Sequence, residues 1–427
     1  MSKRSLTIAA VCVGLLAIVL VSNRLSRVEG QEVREQVAGA GFAAIPGLKG
    51  GQDIFGPYDV VRNWPRPMSE SLPGHENWTY SVTMDVFAES PNRVLIASKG
   101  ELPLIAKRPE TIWLPQLGPG LQFPVFRLPL RQAGGAIPNG DQLNEPGNGR
   151  PGVDWRFEHS ILVVNAEGKI TEDWTQWDKM WTRPHDVEIS PYDPEKHVWI
   201  VDAEGHGVYK FTNDGKKLVL KLGTAGVPGD DDTHFRRPTF LVFMDANTMY
   251  LADGYDNTRV IKYDMNGKKL LQWGEAGTAP NEKRPGYWNN VHGIAVDPTT
   301  RRVYVNDRQN GRVQIFDENG KYLDEWNFGP RPPMDIHSFI VTSDRKLWAA
   351  DQGTHKILGY DLHGNYLYSW GSWGEYPGGM WGVHGLSSDQ EGNFYVAEVN
   401  NGRIQKYRPR QGANPAFLVG KPWKGVW

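Results

Sequence analysis

One pattern recurs five times between Pro184 and Tyr407, and a repeat of this length limits the possible folds more than any other feature of the chain. The copies open His185-Asp-Val-Glu-Ile, Thr239-Phe-Leu-Val-Phe, His292-Gly-Ile-Ala-Val, His337-Ser-Phe-Ile-Val and His384-Gly-Leu-Ser-Ser. Each continues into a short apolar stretch that ends in an acid. These acids are Asp202, Asp253, Asp307, Asp351 and Glu398, at intervals of 51, 54, 44 and 47 residues. A unit of ~40–50 residues built of short strands points to propeller blades rather than to a helical array. The first strand of each blade lines the central axis of a propeller. Histidines at that one place could therefore meet around a single metal ion.

The copy that begins at Thr239 shows the strands most clearly. Phe240 to Phe243 would be innermost and Met249 to Ala252 second, with Arg259 to Asp264 third and Lys269 to Trp273 outermost. The last two are joined at Asn266-Gly267, and the same turn chemistry recurs at Gly215, Gly320 and Gly364. Asn-Gly and Asp-Gly tolerate the positive φ that two-residue hairpins require. Upstream, Tyr80 to Ser98 reads as the inner half of a further blade and His159 to Ile170 as its outer hairpin. Between them, residues 101–157 are dense in proline and glycine. They read as an insertion in the first blade that lies over one mouth of the channel. One split blade and five regular ones give an all-β, six-bladed β-propeller over residues 57–427. Many of the 17 tryptophans close a blade, as Trp273, Trp326 and Trp370 do, which suits packing between blades better than a ligand platform.

With 47 basic and 49 acidic residues the formal charge is −2, so no polycation effect favours nucleic acid. The N-terminus is different in kind. Lys3-Arg4 precedes an apolar run from Leu6 to Val21, the outline of an export signal. No small-x-small cleavage site follows, which favours an uncleaved membrane anchor over residues 1–26 and a tether over 27–56. The propeller is then expected on the extracytoplasmic side, as a monomer. The only cysteine, Cys12, lies in that apolar run, so the exported body has neither a disulfide nor thiol chemistry.

Counted from the N-terminus, His185, His292 and His384 fall in blades two, four and six, ~120° apart in a six-bladed ring. Three imidazoles converging there would leave a fourth metal position open, as catalytic zinc requires. His337, in blade five, breaks the alternation and is expected as a substrate contact. The bland reading of any one of these histidines is a cap on backbone groups near the channel. The other seven, His75 and His159 among them, occupy loops or hairpins and read as structural or solvated. Arg259, Arg312, Lys356 and Arg403 each follow their blade's acid by five or six residues and are expected to serve structure. Arg308 and Tyr255 instead sit in loops that rim the channel mouth.

Several motifs are specific. Leu222-Gly-Thr-Ala-Gly-Val-Pro-Gly through His234-Phe, Ala-Asp-Gly-Tyr255-Asp-Asn-Thr-Arg, Gln-Trp-Gly-Glu275, Val-His292-Gly-Ile-Ala and Asn-Asp-Arg308-Gln-Asn-Gly-Arg-Val-Gln occur in order. Through them the chain resembles the peptidyl-α-hydroxyglycine α-amidating lyase family, six-bladed propellers of NHL-type repeats. The likeness is close from about Arg183 to Phe316, looser to Tyr407 and weak before Trp155. It implies a zinc ion on His185, His292 and His384, Tyr255 as catalytic base, and Arg308 as a catalytic cation suited to a carboxylate. The implied reaction splits a C-terminal α-hydroxyglycine, on a peptide or a small molecule, into an amide and glyoxylate.

The chain departs from the family's pattern in places. The family's first-blade arginine is Lys99 here, a substrate-binding position that keeps its charge but loses the bidentate fork. The family's acid after the last zinc histidine, a calcium ligand, is Gly385, which leaves calcium short of one ligand. Animal members carry paired cysteines where this chain has Arg236 with Asp256, expected as a salt bridge, and Tyr304 with Ile315. Two other readings stay open. One is a non-catalytic NHL propeller acting as a binding scaffold. The other is a lactone-hydrolase-like enzyme using carboxylates for calcium, against which stands the scarcity of acids at inner-strand starts.

Overall fold

The computed structural model describes residues 55–103, 111–113, 122–124, 152–153, 155–329, 334–374, 376–400 and 402–423. Six four-stranded antiparallel sheets make up the body. Their innermost strands are Thr83–Ser90, Pro184–Ile189, Pro238–Phe243, Val291–Asp297, Ile336–Val341 and Val383–Ser388. Each touches its two neighbours, the last touching the first, so the ring closes around an axis. The third blade follows the expected order, with strands Pro238–Phe243, Thr248–Asp253, Arg259–Asp264 and Lys269–Trp273 side by side.

The split first blade closes as expected, and a second feature completes the ring. In blade one Arg93–Ser98 pairs directly with Ile161–Val164, although more than sixty residues separate the two strands. Blade six takes its outermost strand from the other end of the chain. Tyr58–Val60 pairs with Arg403–Pro409 outside Phe394–Glu398 and Val383–Ser388. That pairing ties the ends of the ring together and leaves no gap between first and last blade. At the foot of the insertion Glu101–Pro103 pairs with Trp78–Tyr80. Most of the insertion, its placement over a channel mouth and the anchor over residues 1–26 lie outside the described residues. Among the described residues no helix is long and apolar enough to cross a membrane.

Tryptophan and glycine together fit one blade to the next. Gly215 turns the outer hairpin of blade two at φ +67°, and a Cβ there would come within 2.2 Å of Trp174, which closes blade one. Gly320 meets Trp273 and Gly364 meets Trp326 in the same way, each hairpin lying on the indole of the preceding blade. Burying one such ring contributes on the order of 4 kcal/mol. The tryptophans that close these blades are therefore inter-blade packing, as expected.

The acids that end the second strands hold the inner strands by their heads. Asp202 accepts from the backbone N–H of Thr182, Arg183 and Gly205 at 2.7–3.0 Å. Arg259 pairs with Asp253 at 2.9 Å, Arg312 with Asp307 at 2.8 Å and Arg403 with Glu398 at 3.0 Å, all with fully buried carboxylates. In blade five Gly353 and Thr354 hold Asp351 instead. These bases serve structure, and removing one member of such a buried pair costs about 3–5 kcal/mol.

Candidate functional site

The register of every inner strand slips at its head. The irregularities fall between Thr83 and Asp85, Pro184 and Asp186, Pro238 and Leu241, Val291 and Ile294, Ile336 and Phe339, and Val383 and Leu386. A bulge re-aims the side chain it carries. His185, His292, His337 and His384 all lie in these bulges. The same local irregularity that interrupts each sheet therefore points the repeat's first residue at the axis.

Three of the four histidines form a triangle, with ring centroids 4.8, 5.1 and 5.3 Å apart between His185, His292 and His384. Each Nδ1 meets a carbonyl from the next blade's bulge: Thr239 at 2.9 Å, His337 at 2.6 Å and Met84 at 2.6 Å. A carbonyl only accepts, so every Nδ1 carries the hydrogen and every Nε2 keeps its lone pair. Even-numbered blades supply imidazoles and odd-numbered blades supply the carbonyls that orient them. Thr239 Oγ1 returns a hydrogen bond to the His292 carbonyl at 2.7 Å, and Ser338 Oγ does so to that of His384. Such outer contacts fix tautomer and ring angle in metal sites.

Electrostatics favour the same state. Burial holds all three imidazoles well below their ordinary pKa, helped by Arg183 at His185, Arg308 at His292, and His185 at His384. Their donor atoms lie within 4.8 Å of one another. The Tyr255 hydroxyl sits 3.0 Å from His185 Nε2 and 2.9 Å from His292 Nε2. One hydroxyl hydrogen cannot serve two lone pairs, and His384 Nε2 is buried without a hydrogen-bond partner. Three inward lone pairs short of hydrogens fit a tetrahedral zinc ion with one position open.

The remaining expected residues divide. Arg308 follows the second strand of blade four, and Lys99 follows that of blade one, so they hold equivalent positions. Arg308 reaches towards blade five. Its Nε and Nη2 hold the Asp335 carboxylate at 2.9 Å each, and Nη2 donates to His337 Nε2 at 2.6 Å. Against burial, which alone would raise it, His337 and then Arg308 draw Asp335 far below the ordinary carboxylate pKa. His337 is a hinge between the cation and the triangle, with its ring 5.4 Å from His292 and 5.0 Å from His384. Lys99 is buried, its N–H on the Val82 carbonyl at 2.9 Å.

Two arginines escaped the sequence reading. Arg237 lies 4.7 Å and Arg183 5.6 Å from the Tyr255 ring centre, and Glu204 ties them together at 2.6 and 3.1 Å. The signal was present: Arg-Pro immediately precedes the repeat's first residue in blades two and three. The expected salt bridge of Asp256 comes from Arg237 at 3.6 Å and not from Arg236, whose N–H serves Asp253. Tyr304 and Ile315 are cross-strand partners.

Further along the inner strands lies a second cluster, Asp85, Asp186 and Glu188, with donor atoms within 4.8 Å. Burial pushes Asp85 up to about 7, and burial with the Asp85 charge raises Asp186 and Glu188. Acids are scarce at the starts of the inner strands, as expected, but the strands of blades one and two carry three of them a little further along. These acids sit one to three residues past the strand head, where a search of first positions misses them. A cavity opens beside them, lined also by Phe240, Leu241 and Phe339. Phe240 packs on all three zinc-type histidines as well, at 4.9–5.6 Å, and so forms a partition between the two clusters.

Comparison with known proteins agrees with this architecture. A family model described as a 6-bladed beta-propeller matches residues 290–370, and an NHL repeat model matches 380–407. Peptidyl-alpha-hydroxyglycine alpha-amidating lyase 1 of Drosophila melanogaster is 30% identical over 286 residues, 61% of this chain and 51% of that protein. A probable lyase of the same name from Caenorhabditis elegans is 26% identical over 58% of this chain and 70% of its own length. NHL repeat-containing protein 3 of Mus musculus is 31% identical over 60% of this chain and 75% of its own. The chain spans about half the length of the fly relative. It belongs to the family of NHL-repeat propellers with the mouse protein, and it is similar to the peptidyl-α-hydroxyglycine α-amidating lyases.

Proposed function

We propose that the protein is a carbon–nitrogen lyase that splits an N-acyl-α-hydroxyglycine-like substrate into an amide and glyoxylate. The observation that carries this reading is the Tyr255 hydroxyl lying within 3.0 Å of two of three converging imidazole nitrogens. His185, His292 and His384 would hold zinc, which when bound supplies a Lewis acid that lowers the pKa of the substrate hydroxyl. Tyr255 would act as the base, and Arg237 and Arg183 beside its ring would favour its anion. As the hydroxyl proton passes to Tyr255, the O–H electrons form the carbonyl of glyoxylate. The C–N pair leaves with nitrogen, which takes the proton back from Tyr255. No water is consumed. Arg308, steadied by Asp335, and Lys99 are the cations for the substrate carboxylate, and His337 borders it.

The same reading includes calcium at Asp85, Asp186 and Glu188. Asp186 Oδ1 is buried without a hydrogen-bond partner, and three close carboxylates suit a hard, oxygen-binding cation. A Cβ on Gly385 would come 2.1 Å from Asp85 Oδ1, so Asp85 fills the space that an acid at 385 would need. The test is glyoxylate release from a synthetic N-acyl-α-hydroxyglycine, measured together with bound zinc. A propeller that serves only as a scaffold releases none. Export or membrane attachment through residues 1–26 and action as a monomer belong to this proposal, and fractionation and sedimentation test them.

A further inference from the structure

A third group of metal-type donors lies away from the channel, at the foot of the first-blade insertion. Glu101 is wholly buried, and its Oε1 lies 2.7 Å from His159 Nδ1 and 3.1 Å from His75 Nε2. Glu158 stands beside them, half-exposed, and one donor atom from each of the four residues lies within 4.8 Å of the others. The two imidazole rings meet edge to face with centroids 4.8 Å apart.

Hydrogen-bond chemistry leaves this cluster incomplete. His75 Nδ1 meets the Pro73 carbonyl at 3.1 Å, so that nitrogen carries a hydrogen and Nε2 turns toward the carboxylate. His75 Nε2 and Glu101 Oε2 are both buried without a hydrogen-bond partner. The nearest guanidinium, Arg156, is 3.7 Å from Glu101 Oε2 and is held against the Trp78 ring at 3.6 Å. A lone pair facing a carboxylate across 3.1 Å needs a positive particle between them, either a proton or a metal ion. Two imidazoles and two carboxylates match the donor set of zinc, and the Nδ1–H on a backbone carbonyl is the outer contact that such a ligand takes.

We propose that His75, Glu101, Glu158 and His159 form a structural zinc site that clasps the base of the insertion. Glu101 and His159 are 58 residues apart in sequence, and they mark the two ends of the segment. Backbone hydrogen bonds between Glu101 and Arg156, at 2.8 and 3.0 Å, already draw the strands together. A cross-link that closes a long loop acts chiefly by removing conformational freedom from the unfolded chain. The only cysteine is Cys12, so no disulfide can do this in the body, whereas a metal ion can. The site also fixes the chain two residues beyond Lys99.

Zinc content of the full-length chain tests this against the alternative of a proton. The channel variant His292→Ala and the variants His75→Gln, Glu158→Gln and His159→Asn each serve as a separate arm. Asparagine at 159 suits the left-handed backbone there, at φ +55°, and Glu158→Gln changes a solvent-facing group and spares the fold. Each of the three insertion-site variants is expected to lose one zinc equivalent relative to wild type or to bind it about tenfold or more weakly. The equivalent controlled by His292 stays in place, and the melting curve remains cooperative. Equal zinc content and affinity in wild type and in folded Glu158→Gln and His75→Gln would show that a proton fills the gap and overturn the site. Zinc loss confined to His292→Ala, with the insertion-site variants like wild type, overturns the site in the same way.

Discussion

Two clusters of metal-type donors meet on the inner strand Pro184–Ile189 and sit on either side of Phe240, yet their physics differs. The histidine triangle is built of neutral groups, each with its Nδ1 already satisfied by a carbonyl of the next blade. It can wait for a metal at neutral pH with little penalty. The carboxylate cluster of Asp85, Asp186 and Glu188 is a knot of buried acids whose pKa values are raised by burial and, at Asp186 and Glu188, by the Asp85 charge. Oriented neutral donors leave the metal's charge available for chemistry. Three carboxylates would largely neutralise a divalent ion, which suits a support. On the proposed reading, catalysis belongs to the side of the partition that carries Tyr255.

That contrast can be broken by experiment, and the largest effect belongs to the triangle. His292→Ala is expected to lose the channel zinc and to cut glyoxylate release by about a thousandfold or more, since a metal supplies several kcal/mol. Equal turnover in that variant removes the metal from the reaction. Tyr255→Phe should retain zinc while kcat falls by about 10²–10⁴-fold, the usual contribution of a positioned acid–base group. A variant that loses zinc along with rate would instead make Tyr255 a structural partner of the histidines.

On the other side of Phe240 the prediction concerns stability rather than chemistry. Calcium should raise the Tm of the wild type, and Asp186→Asn should abolish the response while retaining channel zinc. A change in zinc content instead would mean that the clusters are not separated as described. Asp335→Asn should loosen Arg308 and lower kcat/KM by roughly tenfold, the loss of a charge-assisted pair, with zinc and fold intact. An unchanged rate would confine Asp335 to structure. Gly215→Ala should cost about 1–3 kcal/mol, because its φ of +67° and the Trp174 ring both resist a side chain. Zinc and kcat should not move with it.

The histidine side was legible in the sequence because the repeat prints it. A bulge at each strand head recurs with the repeat, so the spacing of His185, His292 and His384 alone puts them in alternate blades. Blade count and hairpins followed from the same period. The closing strand Tyr58–Val60 was not legible, since three residues far from the repeats carry no period of their own. The carboxylates were missed for a related reason: Asp186 and Glu188 belong to blade two, Asp85 to the divergent blade one, and no repeat aligns them. Arg308 was found but not its partner Asp335, a contact between neighbouring blades that linear spacing does not encode. Arg183 and Arg237 were hidden in plain Arg-Pro pairs, whose shared place before the strand heads is the signal to read.

The most direct test is a paired measurement on purified full-length wild type and His292→Ala: bound zinc, and glyoxylate released from an N-acyl-α-hydroxyglycine. The account predicts that the variant loses one zinc equivalent and nearly all release, both with the fold retained. Release that persists at the wild-type rate after that zinc is gone would contradict it.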